Sequence, residues 1–343
     1  MKIRHLLIPV LLVLAVGCQA AAPSPNSAPA PTAPPPATSP NTAKLTVSYS
    51  NLIADNLPEW TAKEAGIFEK HGLDVDLQNI ASAQGVAAVL SGQVQVAQLG
   101  GSESVSAAAG GADLAILGNL APVYPFVFMA PADVKDVQEL RGKKIGVSAV
   151  GSSSDIATRV MLRKVGLDSE SDVTIVPVGS LENRIAALTN GAIQGGVAQP
   201  PDQLSLEDKG FHVVYDLAQQ KLPAANTAVV VQRTWLNANR DVAQRYVDSL
   251  VEAIARNRSD KAFATQVIRK YLKIDDERAA ETTYDFFVGQ VTPQYPVSRP
   301  EQFEDALSQL SASNEKVRGF DVTRLFDTSL VQSAMDRKLG GLS

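Results

Sequence analysis

Two successive runs of alternating strand and helix patterns constrain this chain more than any other feature. In the first, Lys44–Ser50 and Asp74–Ile80 alternate as strands around a helix pattern at Pro58–Lys70. Pro58 suits that helix's first turn and Gly72 lies beyond its end. A helix at Gln84–Ser91 stops at Gly92, and a strand at Val94–Leu99 turns at Gly100-Gly101 into a helix at Ser102–Ala109. Strands at Asp113–Leu120 and Phe126–Ala130 follow. The second run reads strand Lys143–Val150, helix Ser152–Val165 closed by Gly166, strand Asp172–Val178, helix Ser180–Thr189 closed by Gly191, and strand Gln194–Gln199. Phe211–Leu217 and Thr227–Gln232 are further strands, and beyond Thr234 only helix patterns remain, the last at Val322–Lys338. Such alternation builds mainly parallel sheets with helices on both faces. The expectation is an α/β chain of two lobes: lobe I from 44–125 plus 226–343, and lobe II from 126–225.

In open α/β sheets a ligand sits outside the carboxyl ends of the strands. That places candidate contacts in the strand-to-helix turns, with hinges near Pro122–Phe126 and Leu222–Thr227. The first-lobe candidates are Asn51, Asp55, Asn56, Trp60, Gly101, Ser102 and Glu103; Tyr124 lies at the crossing. Ser152, Ser153, Ser154, Asp155 and Gln199 belong to the second lobe, and Asn226 to the return crossing. Small residues and hydroxyls before a helix leave backbone N–H groups free for an acceptor, although serines there also act as ordinary caps. Asp55 and Glu103 bring negative charge, while Arg184, just inside a helix, is the one basic residue near these turns. That balance favours a neutral or partly cationic solute. Trp60, Tyr124 and Phe126 offer faces on which a flat ring could stack, and Trp60 reads equally well as a core residue.

The N-terminal segment has its own logic. Lys2 and Arg4 precede an apolar run from Leu6 to Val16, about half of the ~20 apolar residues a spanning helix needs. This reads as an export signal over 1–17. Cys18 is the chain's single cysteine, so it has no intramolecular disulfide partner. Leu14-Ala15-Val16-Gly17-Cys18 resembles a bacterial lipobox, which implies a diacylglycerol on Cys18 and cleavage before it. Residues 19–43 hold only small and uncharged polar side chains and many prolines, apt for an extended tether. The expected location is the extracytoplasmic face of the cell membrane, reached through that lipid anchor.

Several chemistries find no support. The net charge of −5 comes with scattered basic residues, unlike the basic stripe of a nucleic-acid binder. No phosphate loop, dinucleotide fingerprint or nucleophile elbow is present. The three histidines are far apart in sequence and suggest neither a metal centre nor a catalytic pair, so neither enzyme activity nor a cofactor is expected.

Four stretches carry a family resemblance: EWTAKEAGIFEKHGLDVDL (59–77), LSGQVQVAQLGGSESVSAAAGGADLAILG (90–118), VKDVQELRGKKIGVSAVGSSSDIATRVMLRKVGL (134–167) and NRIAALTNGAIQGGVAQPPDQL (183–204). They resemble the ABC-transporter substrate-binding proteins for nitrate, sulfonates, taurine, thiamine precursors and riboflavin. The resemblance implies a two-lobed Venus-flytrap fold, a monomer, and delivery of a small solute to a membrane permease. Where many members have an acidic or aromatic residue before a proline, this chain has Gln199-Pro200-Pro201. With the stacking candidates above, the expected solute is a heteroaromatic vitamin or precursor, riboflavin before hydroxymethylpyrimidine. Alkanesulfonate, taurine or nitrate is the alternative. The fold's pyrimidine-synthase relatives use a cysteine-rich motif that is missing after Cys18.

Overall fold

The computed structural model describes residues 42–341. The signal segment, Cys18 and nearly all of the tether lie outside the described residues. Ala43, expected in the tether, opens the first strand instead.

The chain order follows the expected alternation. It begins β1 (Ala43–Tyr49), α1 (Leu57–Glu64), α2 (Ile67–Lys70), β2 (Leu73–Asn79), α3 (Ser82–Ser91), β3 (Val96–Leu99), α4 (Gly101–Ala109) and β4 (Leu114–Asn119). It continues β5 (Val127–Pro131), β6 (Lys144–Val147), α5 (Ser153–Lys164), β7 (Thr174–Pro177), α6 (Leu181–Thr189), β8 (Gly195–Ala198), α7 (Asp202–Glu207) and β9 (Phe211–Asp216). After β10 (Ala228–Gln232) come α8 (Arg233–Ala238), α9 (Arg240–Ser259), α10 (Lys261–Leu272), α11 (Glu277–Phe286), α12 (Glu304–Ser313) and α13 (Ser329–Asp336). The helix expected over Pro58–Lys70 is two, because Gly66 takes φ +66° between them. That left-handed backbone breaks the helix and suits glycine. The helix expected over Val322–Lys338 is a 3-10 turn and then α13, and α7 and α8 were not anticipated.

The strands form two five-stranded sheets, in the orders β2-β1-β3-β10-β4 and β7-β6-β8-β5-β9. In each, one strand runs against the rest: β10 lies antiparallel between β3 and β4, and β5 between β8 and β9. Successive residues of a strand face opposite sides, which gives each sheet two apolar faces. On one face of the first sheet Val47, Val75 and Val96 pack with Tyr246, Leu250 and Ile254 of α9. On the other, Ala97, Leu99 and Val230 meet Val89, Val105 and Phe303. In the second sheet Phe128, Ile145 and Val197 cluster with Ile156, Val160 and Met161 of α5.

The chain crosses between the sheets after β4 and before β10, and the two crossings pair as an antiparallel ribbon. Leu120 N–H donates to Thr227 O at 2.8 Å, Asn226 N–H to Ala121 O at 3.1 Å and Ala224 N–H to Pro122 O at 2.9 Å. The cleft opens beside this ribbon, at the carboxyl ends of β1, β3, β6 and β8.

Candidate functional site

A cavity of about 160 Å³ lies in that cleft, lined from both sheets and from the crossings. Of the fourteen ligand contacts expected, seven line it: Asn51, Glu103, Ser152, Ser153, Ser154, Gln199 and Asn226. Phe126 lines it too, as do Arg184, Ser148 and Leu181, which were not among those candidates.

The second-sheet wall starts with two helix caps. Ser152 caps α5, its Oγ accepting from Asp155 N–H, and Ser180 caps α6 by accepting from Asn183 N–H. The turn before α5 is knit by its own hydroxyls. Ser154 Oγ lies 3.0 Å from Ser152 Oγ and accepts from Ser148 N–H at 2.9 Å. Free N–H groups at the starts of α5 and α6 add partial positive charge to this wall.

Arg184 concentrates that charge. It is 3 % exposed, although it sits in the first turns of α6, where a cation opposes the helix dipole. Its Nε donates to Val197 O at 2.8 Å and its Nη1 to Ser148 Oγ at 2.9 Å. Among the described residues no carboxylate pairs with it directly. Burial holds its pKa down to about 10, against the upward pull of the Asp202 and Glu182 charges. A glycine makes room for its stem. Gly146 and Gly196 stand opposite each other in β6 and β8. A Cβ on Gly196 would lie 3.1 Å from Arg184 Cδ, whereas one on Gly146 would meet Ile193 Cδ1 at 2.3 Å and Arg184 Cγ only at an ordinary 3.5 Å. Glycine inside a strand marks such a close approach, and Gly196 is the signal by which the sequence could have pointed to Arg184.

Gln199 completes this wall. It is 2 % exposed, and neither its Oε1 nor its Nε2 has a partner among the described residues. Buried amides normally find partners, so Gln199 is an exception at the cavity wall, as Gln98 is elsewhere.

The first-sheet wall is different. Gly100 precedes α4, and the Glu103 carboxylate folds back over it so closely that a Cβ on Gly100 would collide with Oε2. Ser102 Oγ donates to that same oxygen at 2.7 Å. At the start of α4 the Glu103 carboxylate thus engages the Ser102 hydroxyl, with no side-chain cap on the helix. Asn51 lines the cavity from the loop after β1, and Asn56 holds that loop by donating to Asn51 O at 2.8 Å and Ile53 O at 3.1 Å.

The other seven candidates have other places. Trp60 is fully buried in the core, stacked on Tyr271 at 4.7 Å and edge-on to Tyr49 at 5.8 Å. It cannot stack on a solute. Asn56 is a loop brace and Asp155 a capping group: fully buried, Asp155 accepts from Gly151 N–H and from Arg159 Nε, each at 2.8 Å. Gly101 packs on the crossing, its N–H donating to Ala225 O at 2.7 Å, and a Cβ there would lie 2.5 Å from Ala225 Cβ. Ser102 and Tyr124 border a neighbouring pocket of about 20 Å³ that shares Ser153 and Asn226 with the main cavity. The Tyr124 hydroxyl is occupied, donating to Asp305 at 3.1 Å. Asp55 lies behind the wall, where Thr227 and Asn226 donate to it.

Among the described residues no group of histidines, cysteines and carboxylates could hold a metal ion, and no helix is long and apolar enough to cross a membrane.

The fold recurs in known structures. The periplasmic aliphatic sulphonate binding protein SsuA from Escherichia coli superposes with a TM-score of 0.68 at 20% identity, covering 84% of this chain and 92% of its own. The alkanesulfonate-binding protein SsuA from Xanthomonas axonopodis pv. citri, solved bound to MOPS, gives 0.66 at 19% identity, with 86% and 99% covered. The periplasmic nitrate-binding protein NrtA from Synechocystis PCC 6803 gives 0.65 at 16% identity, with 88% and 90% covered. At these identities the likeness is one of fold. A search of curated proteins found no match. The family model described as NMT1/THI5 like matches residues 54–258, more than half of the sequence, and the chain therefore belongs to the NMT1/THI5-like family.

Proposed function

We propose that the protein is an extracytoplasmic solute receptor of an ABC importer, and that its solute enters the cleft with an acidic head group against Arg184. The observation that carries the reading is a buried guanidinium without a carboxylate partner, set in a cavity wall beside an unpartnered Gln199 and two helix starts. Burying an unpaired charge is unfavourable, and an anionic head group would relieve that state. The fold shared with sulfonate- and nitrate-binding proteins supports the same direction.

This favours the sulfonate, taurine or nitrate alternative over riboflavin or hydroxymethylpyrimidine. Of the three aromatics expected to stack on a ring, Phe126 alone lines the cavity. A volume of about 160 Å³ also suits a small solute, below the ~300–1,000 Å³ of pockets for drug-sized ligands.

In this reading lobe I comprises 44–125 with 226–343, and lobe II 126–225, closing about the paired crossings. Ligand that touches both walls favours the closed form by its differential affinity for it. The closed pair of lobes, as a monomer, then meets the permease. Lipid on Cys18 would hold the receptor at the membrane and raise its effective concentration there. A Cys18→Ser protein that still fractionates with membranes would refute the anchor.

Thermal melting with a panel tests the solute class: an alkanesulfonate, taurine, nitrate, riboflavin and hydroxymethylpyrimidine. A ligand at a hundredfold excess over Kd adds ~2.7 kcal/mol of stability. The expected result is a rise in Tm with an acid of the first group. A rise with riboflavin or the pyrimidine alone would overturn the acidic-head reading.

A further inference from the structure

Two carboxyl groups stand behind the cavity wall without a cation. Asp55, in the 3-10 turn Ala54–Asn56, and Glu59, one turn on in α1, are both buried. Asp55 Oδ2 accepts from Thr227 Oγ1 at 2.5 Å and from Asn226 Nδ2 at 3.2 Å, while Glu59 Oε1 accepts from the Tyr246 hydroxyl of α9 at 3.2 Å. Asp55 Oδ1 and Glu59 Oε2 have no partner, and no basic side chain pairs with either carboxyl, among the described residues. The turn Phe287–Val291, packed on the Asp55 turn, brings no titratable side chain. Tyr49 at the end of β1 shares the apolar cluster of Ala54 and Leu57. Arg184 and Glu103 line the cavity that Asn226 also lines.

Burying two like charges without a counter-charge is unfavourable, so protons are held here more firmly than on a carboxyl in water. Of the two groups, Asp55 is the one bonded to the cleft, through the amide of Asn226. An ionised Asp55 holds Asn226 Nδ2 and repels a second anion beyond it. A neutral Asp55 does neither. Its acid proton is donated to Thr227 Oγ1, and the Asn226 amide is left free to donate into the cavity. Proton and acidic solute therefore each favour the state that takes up the other.

We propose that Asp55 is a positioning residue which, acting through Asn226, couples binding of the acidic head group to uptake of a proton from solvent. The inference rests on the receptor reading above and adds to it a pH response set behind the cavity wall rather than by the solute. The sign follows from linkage. A group that holds its proton more firmly in the complex takes one up on binding, and affinity falls as pH rises past its ligand-free value, which burial sets at about 6. Such a receptor loads most firmly in mildly acidic surroundings and releases more readily as they turn neutral.

Titration calorimetry on the full chain tests this with propane-1-sulfonate, taurine and nitrate, whose charges stay constant from about pH 5 to about pH 8. Arg184, held at about 10, stays charged throughout that range. Affinity for the acid that binds should fall about tenfold or more across it. Runs near neutral pH in two buffers of different ionisation enthalpy should show proton uptake. Asp55→Asn should bind the acid with an affinity that no longer changes with pH and with no uptake. Thr227→Val removes a donor to the charged carboxylate, so it should move the fall to higher pH; it serves as the second variant if the asparagine does not fold. An affinity flat with pH would overturn the proton link while leaving the acidic-head reading intact. So would a fall that persists in Asp55→Asn, or one that Thr227→Val leaves in place. Failure of all three acids to bind at any pH would overturn both readings.

Discussion

Replacing Asp55 by asparagine tests the electrostatics beneath the cleft. Asp55 is 3 % exposed and sits in the 3-10 turn that leads into α1. Thr227 Oγ1 donates to its Oδ2 at 2.5 Å and Asn226 Nδ2 at 3.2 Å, while Oδ1 has no partner among the described residues. Burial outweighs those bonds and pushes the carboxyl up to about 6. Glu59, four residues on in α1, is fully buried and is raised as well, first by burial and further by the charge on Asp55. Between 3.8, the ordinary value, and about 6 the folded protein therefore keeps a proton that the unfolded chain releases. The stability linked to that proton is fully present below the unfolded value and is lost as pH rises through the folded one. At ~1.4 kcal/mol for each pH unit separating the two, the loss is ~3 kcal/mol.

An asparagine at this position keeps an amide oxygen for Thr227 and never ionises. The unfolding free energy of Asp55→Asn minus that of the unsubstituted protein should climb by ~3 kcal/mol from about pH 4 to about pH 7. Glu59 adds in the same direction, because the substitution removes a charge that raises it. Urea denaturation followed by circular dichroism across that range measures the difference, with m unchanged. Carboxylates far from the site cancel in the subtraction. A difference that stays flat, or that falls as pH rises, would show that the fold stabilises the charged carboxylate, and the burial argument would be wrong.

Three further substitutions probe the site and its frame. Arg184→Met should reduce binding of the acidic solute by a hundredfold or more in calorimetry. It should shift stability by no more than ~2 kcal/mol, because removing a buried charge offsets the donors lost to Val197 O and Ser148; retained affinity would refute the head-group assignment. Asp305 on α12 accepts from Tyr124 at the crossing and pairs with Arg163 of α5 at 2.6 Å. Asp305→Ala should enlarge the ligand-free protein in small-angle scattering and weaken every ligand by the same few-fold factor, and a change in selectivity would argue against a purely conformational role. Trp60→Ala should cost ~3–5 kcal/mol of stability through the cavity it leaves. The order of ligand preference should stay as it was, since the indole lies in the core.

Much of the fold was legible because its signals are local. Period-two alternation at Leu45–Tyr49, and the stop at Gly92 with φ +76°, are properties of short segments. Strand direction is not local. Nothing in Val127–Pro131 or Ala228–Gln232 records that each runs against its neighbours. That direction follows from the tertiary arrangement of the crossings, after each of which the chain enters the middle of a sheet as its antiparallel member. Two short helices escaped notice for the same reason that boundaries did: Asp202–Glu207 and Arg233–Ala238 are too brief to show a full hydrophobic period.

The site was legible where backbone topology decides it and opaque where side-chain reach does. Strand-to-helix turns must face the cleft, which is why Ser152, Ser154 and Gln199 were found. Trp60 was misplaced because it stands one turn beyond such a loop, where the helix has already rotated its side chain into the core. Arg184 was undervalued for the opposite reason. Its Cα lies past the turn, but its long side chain crosses the ends of β6 and β8 and returns to the cavity. Gly196 leaves room for that path, since a Cβ there would lie 3.1 Å from Arg184 Cδ, so part of the record of the arginine's course is written on β8. A cation in the first turns of a helix works against the dipole, and a glycine in a strand interior weakens the strand. A buried cation near a helix start and a strand glycine packed against its stem are two locally unfavourable choices that meet at Arg184. On the facing wall a Cβ on Gly100 would meet Glu103 Oε2, the far end of a flexible side chain that could swing aside.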